Sequence, residues 1–236
     1  MGIPSVKPYA HLFFDLDHTL WDFRGNSRET LRELHTVESL SAAGIAEAAE
    51  FIEVYEEVNH AMWAQYSAGR MEKEVLRVLR FRDTLLRFGI RDGRLADRLA
   101  NAYIDLSPRK PLLMPGAAQL LGDLHGRFKL HIITNGFDEV QHVKLRCSGI
   151  EHHFDVVLTS ERAGAHKPDP RIFREALRRT KASAQESLMV GDNVLADMLG
   201  ARQAGWDHAH YHAETEADPL ATYRVGHLDD LRAILL

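Results

Sequence analysis

Two aspartates at the end of an apolar run are the residues of this sequence best suited to chemistry. Asp15 and Asp17 are one residue apart and follow Leu12-Phe13-Phe14. Alternate residues of a strand share a face, so both side chains point the same way while strand geometry lasts. Acids in such a place are costly to bury unless a cation offsets them, and Mg²⁺ takes carboxylate and carbonyl oxygens. The alternative is an ordinary turn, since Asp-x-Asp followed by Thr19 is also common loop chemistry.

Polar side chains follow three further predicted strands, over 130–134, 156–159 and 188–190. They are Thr134, Asn135, Lys167, Asp192 and, a little further on, Asp197. Each segment alone could be a turn or a helix cap. Ligands of open parallel sheets bind beyond the carboxyl ends of the strands, however, so we expect these groups to meet Asp15 and Asp17 at one edge.

The chemistry that such a group supports is phosphoryl transfer. The carboxylate of Asp15 can attack phosphorus and form an acyl phosphate. Asp17 can protonate the leaving oxygen and later activate water. Because a phosphate monoester brings negative charge toward two acids, cations are needed, and Mg²⁺ bound by Asp15 and Asp192 would act together with Lys167. Thr134 can donate a hydrogen bond to a phosphate oxygen, helped by backbone N–H groups at a helix start.

The elements that must position these residues change character twice along the chain. A strand comes first, and residues 26–106 then show helical apolar spacing, with Asn26 and Glu29 resembling an N-cap and its return partner. From Pro111 onward strands and helices alternate, which predicts an α/β fold with a parallel sheet covered on both faces. The predicted domains are a catalytic core, residues 1–22 and 109–236, and an inserted bundle of about four helices, residues 23–108.

Composition excludes several classes of protein. The chain has 236 residues and a formal net charge of -5, with no broad basic excess, so we expect no nucleic-acid partner. The Arg-rich segment 77–82 is interpreted as a solvated or salt-bridged helix face. Cys147 is the one cysteine, which fits a reducing compartment. No leader or membrane-length apolar run is visible, so a cytoplasmic protein without a membrane partner is predicted.

The four strand-end segments resemble the four motifs of the haloacid dehalogenase (HAD) superfamily of phosphatases, over nearly the whole chain. The resemblance implies a Rossmann-like core with an inserted helical cap of the first type, and Mg²⁺ as the cofactor. It implies that Asp15 is the nucleophile and that Asp17 is the general acid/base, whose backbone carbonyl also binds the metal. Thr134 and Lys167 would hold the phosphoryl group, and Asp192 would ligate the metal.

Two further residues complete the predicted site. Asp197 fits the second acid of the fourth motif, oriented toward the metal-bound water or Lys167 rather than bound to the metal itself. Asn135, which comes with Thr134 at the end of the predicted strand over 130–134, is also among the candidate catalytic residues.

Segments 15–23 with Asn26-Ser27, 76–82, 134–141 and 166–170 are similar to one branch of this superfamily, the nucleotidases that dephosphorylate pyrimidine and noncanonical nucleoside monophosphates. His18 departs from the Gly or Asn common across the superfamily but suits this branch. A small phosphorylated metabolite, in this comparison a nucleoside monophosphate, is therefore the expected partner of a monomer or homodimer. Substrate choice is expected to come largely from the helical cap, because the core handles only the phosphate.

Other functions stay open at this point. A phosphatase of sugar-phosphate type, acting on sialic acid 9-phosphate or phosphoglycolate, has similar motifs, and a phosphomutase shares all four. A haloacid dehalogenase is disfavoured because those relatives lack the second aspartate and use no Mg²⁺. A non-enzymatic binding protein is disfavoured because every expected catalytic residue is present. His208, His210 and His212 alternate, so a transition-metal site on one strand face is a further open possibility.

Overall fold

The computed structural model describes residues 9–212 and 216–236. The described residues form two compact units, one of which contains the chain up to Phe23 and again from Pro111, while the other is Arg24–Lys110. The assignment of catalysis to the first unit and of a cap to the second stays a prediction.

The first unit is built on a six-stranded sheet of order β3-β2-β1-β4-β5-β6. Every neighbouring pair is parallel. The strands are β1 His11–Phe14, β2 Lys129–Thr134, β3 Val156–Thr159, β4 Ser187–Gly191, β5 Asp207–Tyr211 and β6 Tyr223–Val225. The predicted α/β fold with a parallel sheet is thus confirmed.

The sheet is apolar on both faces, as a parallel sheet requires. Within β1, Leu12 and Phe14 belong to one buried cluster, while Phe13 belongs to a second cluster on the opposite face. The same alternation divides Leu188 and Val190 from Met189 in β4. Alternate side chains therefore fill both layers of the core, and the segments 12–14 of β1 and 188–190 of β4 are unbroken apolar runs in the sequence.

The helices of the second unit are α1 Phe23–Val37, α2 Ala48–Ser67, α3 Lys73–Arg87 and α4 Gly93–Leu106. Those of the first unit follow as α5 Ala117–Leu124, α6 Asp138–Cys147, α7 Ser160–Ala163, α8 Pro170–Thr180, α9 Gly200–Gln203 and α10 Asp230–Leu235. None of the helices in the described ranges is long and apolar enough to span a membrane. The second unit has its own core, in which Phe51, Tyr55 and Phe81 are fully buried.

Two expectations about the helical unit are wrong. Asn26 does not cap a helix, because α1 begins at Phe23 and Asn26 is buried inside it. The Arg-rich segment is not uniformly solvated, since Arg80 is 2% exposed, lies 4.7 Å from the ring centre of Tyr103 and donates to Asn59. Aromatic rings next to a guanidinium stabilise it by cation–π attraction, which a charge count along the sequence does not register.

Two elements near the end of the chain were not anticipated. The strand β6 is three residues long, and α10 is a short terminal helix. The helical stretch that follows Asp192 begins as a π-helical segment, Val194–Leu199, and continues into α9. A π-helical turn of this kind is frequent at functional sites, and this one contains Asp197.

Candidate active site

The strand order reverses between β1 and β4, which is where an open parallel sheet leaves a crevice for ligands. Phe14, the last residue of β1, pairs with Ile132 of β2 and with Val190 of β4. The next residue, Asp15, therefore lies at the carboxyl edge between the two strands, and its N–H donates to the carbonyl of Val190 at 2.9 Å.

Lys167 is the buried cation of this edge. Its Nζ donates to Asp15 Oδ1 at 2.6 Å, to Asp197 Oδ1 at 2.5 Å and to the carbonyl of Ile133 at 2.8 Å. These three acceptors use the three N–H donors of the ammonium group. Among the described residues, no donor reaches the second oxygen of Asp15, Oδ2, so this oxygen is available to a ligand.

Burial raises the proton affinity of the acids at this edge. Burial, with help from Asp197 and Asp17, raises the pKa of Asp15 to about 7 in spite of Lys167. Burial and the charge of Asp15 raise the pKa of Asp192 to about 6. Burial alone would lower the pKa of Lys167, but Asp15 and Asp197 outweigh it and hold that pKa above its ordinary value. The carboxylates of Asp15 and Asp192 are therefore costly to keep ionised without a further cation nearby, while Lys167 stays protonated.

Asp17 has a separate set of partners. Lys144 Nζ donates to Asp17 Oδ1 at 2.5 Å, and Gln141 Nε2 donates to Asp17 Oδ2 at 2.9 Å. Both donors lie on α6, which follows the strand that ends in Thr134. The two aspartates thus lie at the same edge of the sheet but have no hydrogen-bond partner in common among the described side chains. This difference fits two different roles in a reaction.

Thr134 and Asn135 end β2. The Oγ1 of Thr134 accepts from Gly136 N at 3.0 Å and from Gln141 Nε2 at 2.7 Å, which leaves its hydroxyl hydrogen to donate to a ligand. Asn135 forms two hydrogen bonds with the backbone of Lys167, accepting from its N–H at 2.8 Å and donating to its carbonyl at 3.0 Å. Asn135 therefore fixes the loop that presents Lys167, and among the described residues no hydrogen bond joins it to Asp15 or Asp17.

Asp192 follows β4 and completes an acidic group. One carboxylate oxygen from each of Asp15, Asp192 and Asp197 lies within 4.8 Å of the others, the one such group of potential metal ligands within 9–212 and 216–236. Asp192 also accepts from Thr19 Oγ1 at 3.1 Å. Hard oxygen donors with raised pKa values suit Mg²⁺, since a divalent cation would offset the like charges. The donor set therefore fits the predicted metal.

Asp197 takes a supporting place in this group. Its Oδ1 accepts from Lys167, and its Oδ2 accepts from Asn193 N at 3.1 Å. A Cβ on Gly191 would collide with the carboxylate of Asp197, so only glycine permits this side chain to reach Lys167. With both oxygens bonded to protein donors, Asp197 is suited to holding Lys167 rather than to binding a metal directly.

The three alternating histidines do not form a metal site in the described ranges. His210 Nε2 pairs with the carbonyl of Asp192 at 3.0 Å, and its Nδ1 accepts from Asp218 N at 2.9 Å. His208 Nδ1 pairs with the carbonyl of Trp206 at 3.2 Å. His212 lies beyond the end of β5, with its ring 5.8 Å from that of His210. His210 instead ties the Asp192 loop to the segment at Asp218.

The sequence located the acids and Lys167 but missed Gln141, Lys144, Thr19 and His210 as parts of the site. A usable signal existed for the first two. Gln141 and Lys144 are three residues apart on the helix that follows Thr134, so they share one helix face.

His18 has a left-handed backbone, with φ 65°, which is the reason that Gly or Asn is sterically favoured at this position.

Comparison with known proteins places this geometry among hydrolases. Residues 9–205 match the family model described as haloacid dehalogenase-like hydrolase. Pyrimidine 5'-nucleotidase YjjG of Escherichia coli (strain K12) is 33% identical over 95% of this chain and 96% of its own. Phosphoserine phosphatase of Thermus thermophilus is 35% identical over 95% of this chain and 97% of its own.

Among solved structures, that of the HAD-hydrolase YfnB from Bacillus subtilis bound to magnesium is similar over 97% of this chain and 99% of that one. Its TM-score is 0.88 at 28% sequence identity. The fold, the acidic group and these relatives agree on the family of the chain.

Proposed function

Because this chain belongs to the haloacid dehalogenase-like hydrolases, we propose that it is a Mg²⁺-dependent phosphomonoester hydrolase that works through an aspartyl phosphate on Asp15. The observation that carries the proposal is that two acids at one edge of the sheet have different hydrogen-bond partners. Asp15 is held through one oxygen by Lys167, while Asp17 is held through both oxygens by Gln141 and Lys144.

In the first half of the reaction, Oδ2 of Asp15 attacks the phosphorus atom and the bond from phosphorus to the leaving oxygen breaks. Asp17 gives a proton to that oxygen, so the product leaves as an alcohol. Lys167 neutralises Asp15 and the phosphoryl oxygens, and the hydroxyl of Thr134 donates to one of them. The result is an acyl phosphate on Asp15.

In the second half, a water molecule attacks the phosphorus atom of the acyl phosphate, and Asp17 accepts the proton of that water. The bond from phosphorus to Asp15 breaks, which releases inorganic phosphate and regenerates the carboxylate. Asp17 has then returned to its protonated form, so the proton count closes over one turnover.

Asp15, Asp192 and the backbone carbonyl of Asp17 would hold the Mg²⁺ ion, with Asp197 supporting through Lys167 and Asn193. When bound, the ion supplies positive charge to the phosphoryl group and offsets repulsion from the acids. Burial raises the pKa values of Asp15 and Asp192, so both carboxylates are costly to keep ionised at this edge, and a bound cation would offset that cost.

A nucleoside 5'-monophosphate is the substrate class we propose, which makes the partner a small phosphorylated metabolite. The support is the nucleotidase relative, which matches along nearly its whole length, together with the sequence segments shared with that branch. The phosphoserine phosphatase relative, of similar identity, makes a small phosphorylated amino acid the second candidate. A cytoplasmic location, compatible with a single cysteine, is part of the same proposal.

The experiment is a phosphate-release assay across pyrimidine and purine nucleoside 5'-monophosphates, phosphoserine, sialic acid 9-phosphate and phosphoglycolate, each with Mg²⁺ and with chelator. We expect the highest kcat/KM for a nucleoside monophosphate, with Mg²⁺ required and Asp15→Asn inactive. Release that persists in chelator and in Asp15→Asn would contradict the mechanism. A preference for phosphoserine would overturn the nucleotide assignment alone.

A further inference from the structure

Lys144 is a buried cation to which the proposed reaction assigns no step. It is 5% exposed, and its Nζ lies 2.5 Å from Asp17 Oδ1. The same ammonium group lies 4.4 Å from the ring centre of Trp21 and 5.5 Å from that of Phe23. Since transfer of an ammonium ion from water to such a place is costly, its position has to be explained.

Gln141 completes the support of Asp17. Its Nε2 divides its two hydrogens between Asp17 Oδ2, at 2.9 Å, and Thr134 Oγ1, at 2.7 Å. The reverse orientation of the Gln141 amide would turn its carbonyl oxygen toward the carboxylate of Asp17, so the hydrogen bonds fix the orientation of this amide. A Cβ on Gly136 would collide with the amide of Gln141, which shows how closely this side chain is seated.

The stability of the fold is a weak reason for this arrangement. A buried ion pair contributes no more than well-packed apolar side chains of similar volume, because desolvation offsets most of the attraction. The carboxylate of an aspartate rotates in a broad torsional well, and the Asp17 side chain is 22% exposed, so without fixed partners it would turn toward water. Two donors, one on each oxygen, hold its plane.

We propose that Lys144 is a positioning residue for proton transfer by Asp17, and that Gln141 aligns this transfer with the phosphoryl group bound at Thr134. The inference rests on the proposed function, since it assigns a supporting role within that same site. Lys144 fixes the direction in which Asp17 gives a proton to the leaving oxygen and later accepts one from water, and misplacement by about 1 Å can cost about a hundredfold in rate.

The test compares two substrates under the same conditions. An alkyl phosphate needs a proton on its leaving oxygen, whereas p-nitrophenyl phosphate releases a stable anion and needs little help. For Lys144→Met, which keeps the length of the side chain, we expect kcat/KM for the alkyl phosphate to fall about tenfold to a hundredfold. The value for p-nitrophenyl phosphate should fall severalfold less. Lys129→Met, at a lysine whose side chain is 67% exposed, is the matched control and should change neither.

A double-mutant cycle decides whether Lys144 acts through Asp17. General acid catalysis contributes about 10²–10⁴, so Asp17→Asn should keep a measurable residual rate with the alkyl phosphate. In that background we expect Lys144→Met to cause no further loss. Equal losses on the two substrates in the single variant, or a full further loss in the Asp17→Asn background, would overturn the proposal.

Two more variants keep the result interpretable. Gln141→Met should give the same substrate-selective loss even if Lys144→Met fails to fold, and an unselective loss there would count against the role. Lys144→Arg retains the charge and should restore part of the alkyl phosphate rate, which a purely apolar packing role would not produce. If Asp15→Asn stays active, the proposed function itself fails. If Asp15→Asn is inactive while Lys144→Met behaves like Lys129→Met, only the inference about Lys144 fails.

Discussion

Replacing Lys167 by Met should destabilise the metal-free protein strongly, and by an amount that depends on pH. The ammonium group makes three hydrogen bonds, two of them to the buried carboxylates of Asp15 and Asp197. Removing one partner of a buried ion pair costs about 3–5 kcal/mol, because the charge that remains has no compensation. The protein should still fold, since native domains are stable by about 5–15 kcal/mol.

Protonation of the stranded acids limits this loss. In the unfolded chain an aspartate has a pKa near 3.8. Holding a proton on it in the folded state at pH 7 costs about 1.36 kcal/mol for each pH unit above that value, or roughly 4 kcal/mol. At pH 5 the same proton costs roughly 1.6 kcal/mol. The difference between the wild type and Lys167→Met should therefore shrink as the pH falls.

Urea unfolding in the presence of chelator, at about pH 5, 6 and 7, measures this difference in the free energy of unfolding. Lys129→Met serves as the control, because its partner Asp155 lies 3.5 Å away and both side chains are more than half exposed. Such a pair contributes about 1 kcal/mol or less. A loss below about 1 kcal/mol for Lys167→Met, or a loss that grows toward low pH, would refute the account of a buried, compensated cation.

Burial and the neighbouring His11 lower the pKa of His131 to about 4, so as the pH falls the unfolded chain binds a proton at this histidine before the folded chain does. The free energy of unfolding should therefore fall by roughly 3 kcal/mol between about pH 6.5 and 4. His131→Phe should flatten this dependence of the free energy of unfolding on pH, as measured by acid unfolding curves. Mg²⁺ should raise the Tm more at about pH 8 than at about pH 5.5, because raised pKa values keep protons on its ligands, and Asp192→Asn should abolish most of the shift. Gly200→Ala should cost about 1–3 kcal/mol, since its Cβ would lie 2.5 Å from the Phe173 ring, whereas Gly122→Ala in open space on α5 should gain about 0.5–1 kcal/mol; urea unfolding that ranks them otherwise would contradict this packing.

The sheet and the acids at its edge could be predicted from the sequence because both depend on local signals. Short apolar runs, each followed by polar residues, predict strands and their ends, and parallel strands place those ends together. Asp15, Lys167 and Asp192 were found in this way, and the structure brings them to one edge. The direction of each strand was enough to predict that these residues lie at one edge, without knowledge of any side-chain contact.

The features that were missed depend on tertiary contacts. The sequence places Lys144 and Gln141 on one face of a helix, but only the packing of α6 turns them toward Asp17. Arg80 looked solvated, and aromatic side chains distant in sequence bury it. Asn26 looked like a cap because its type suits one, but the helix begins three residues earlier. Propensity is a weak guide where packing decides.

The most direct test of the central claim is to detect the phosphoryl group on the enzyme. A rapid-quench reaction with Mg²⁺ and the best substrate, followed by mass spectrometry of acid-stabilised peptides, should find one phosphoryl group on the peptide that contains Asp15. Asp17→Asn should increase its occupancy with p-nitrophenyl phosphate, because water attack then lacks its base. Full turnover without any phosphoryl group on that peptide, or with the group on another residue, would contradict the assignment of Asp15 as the nucleophile.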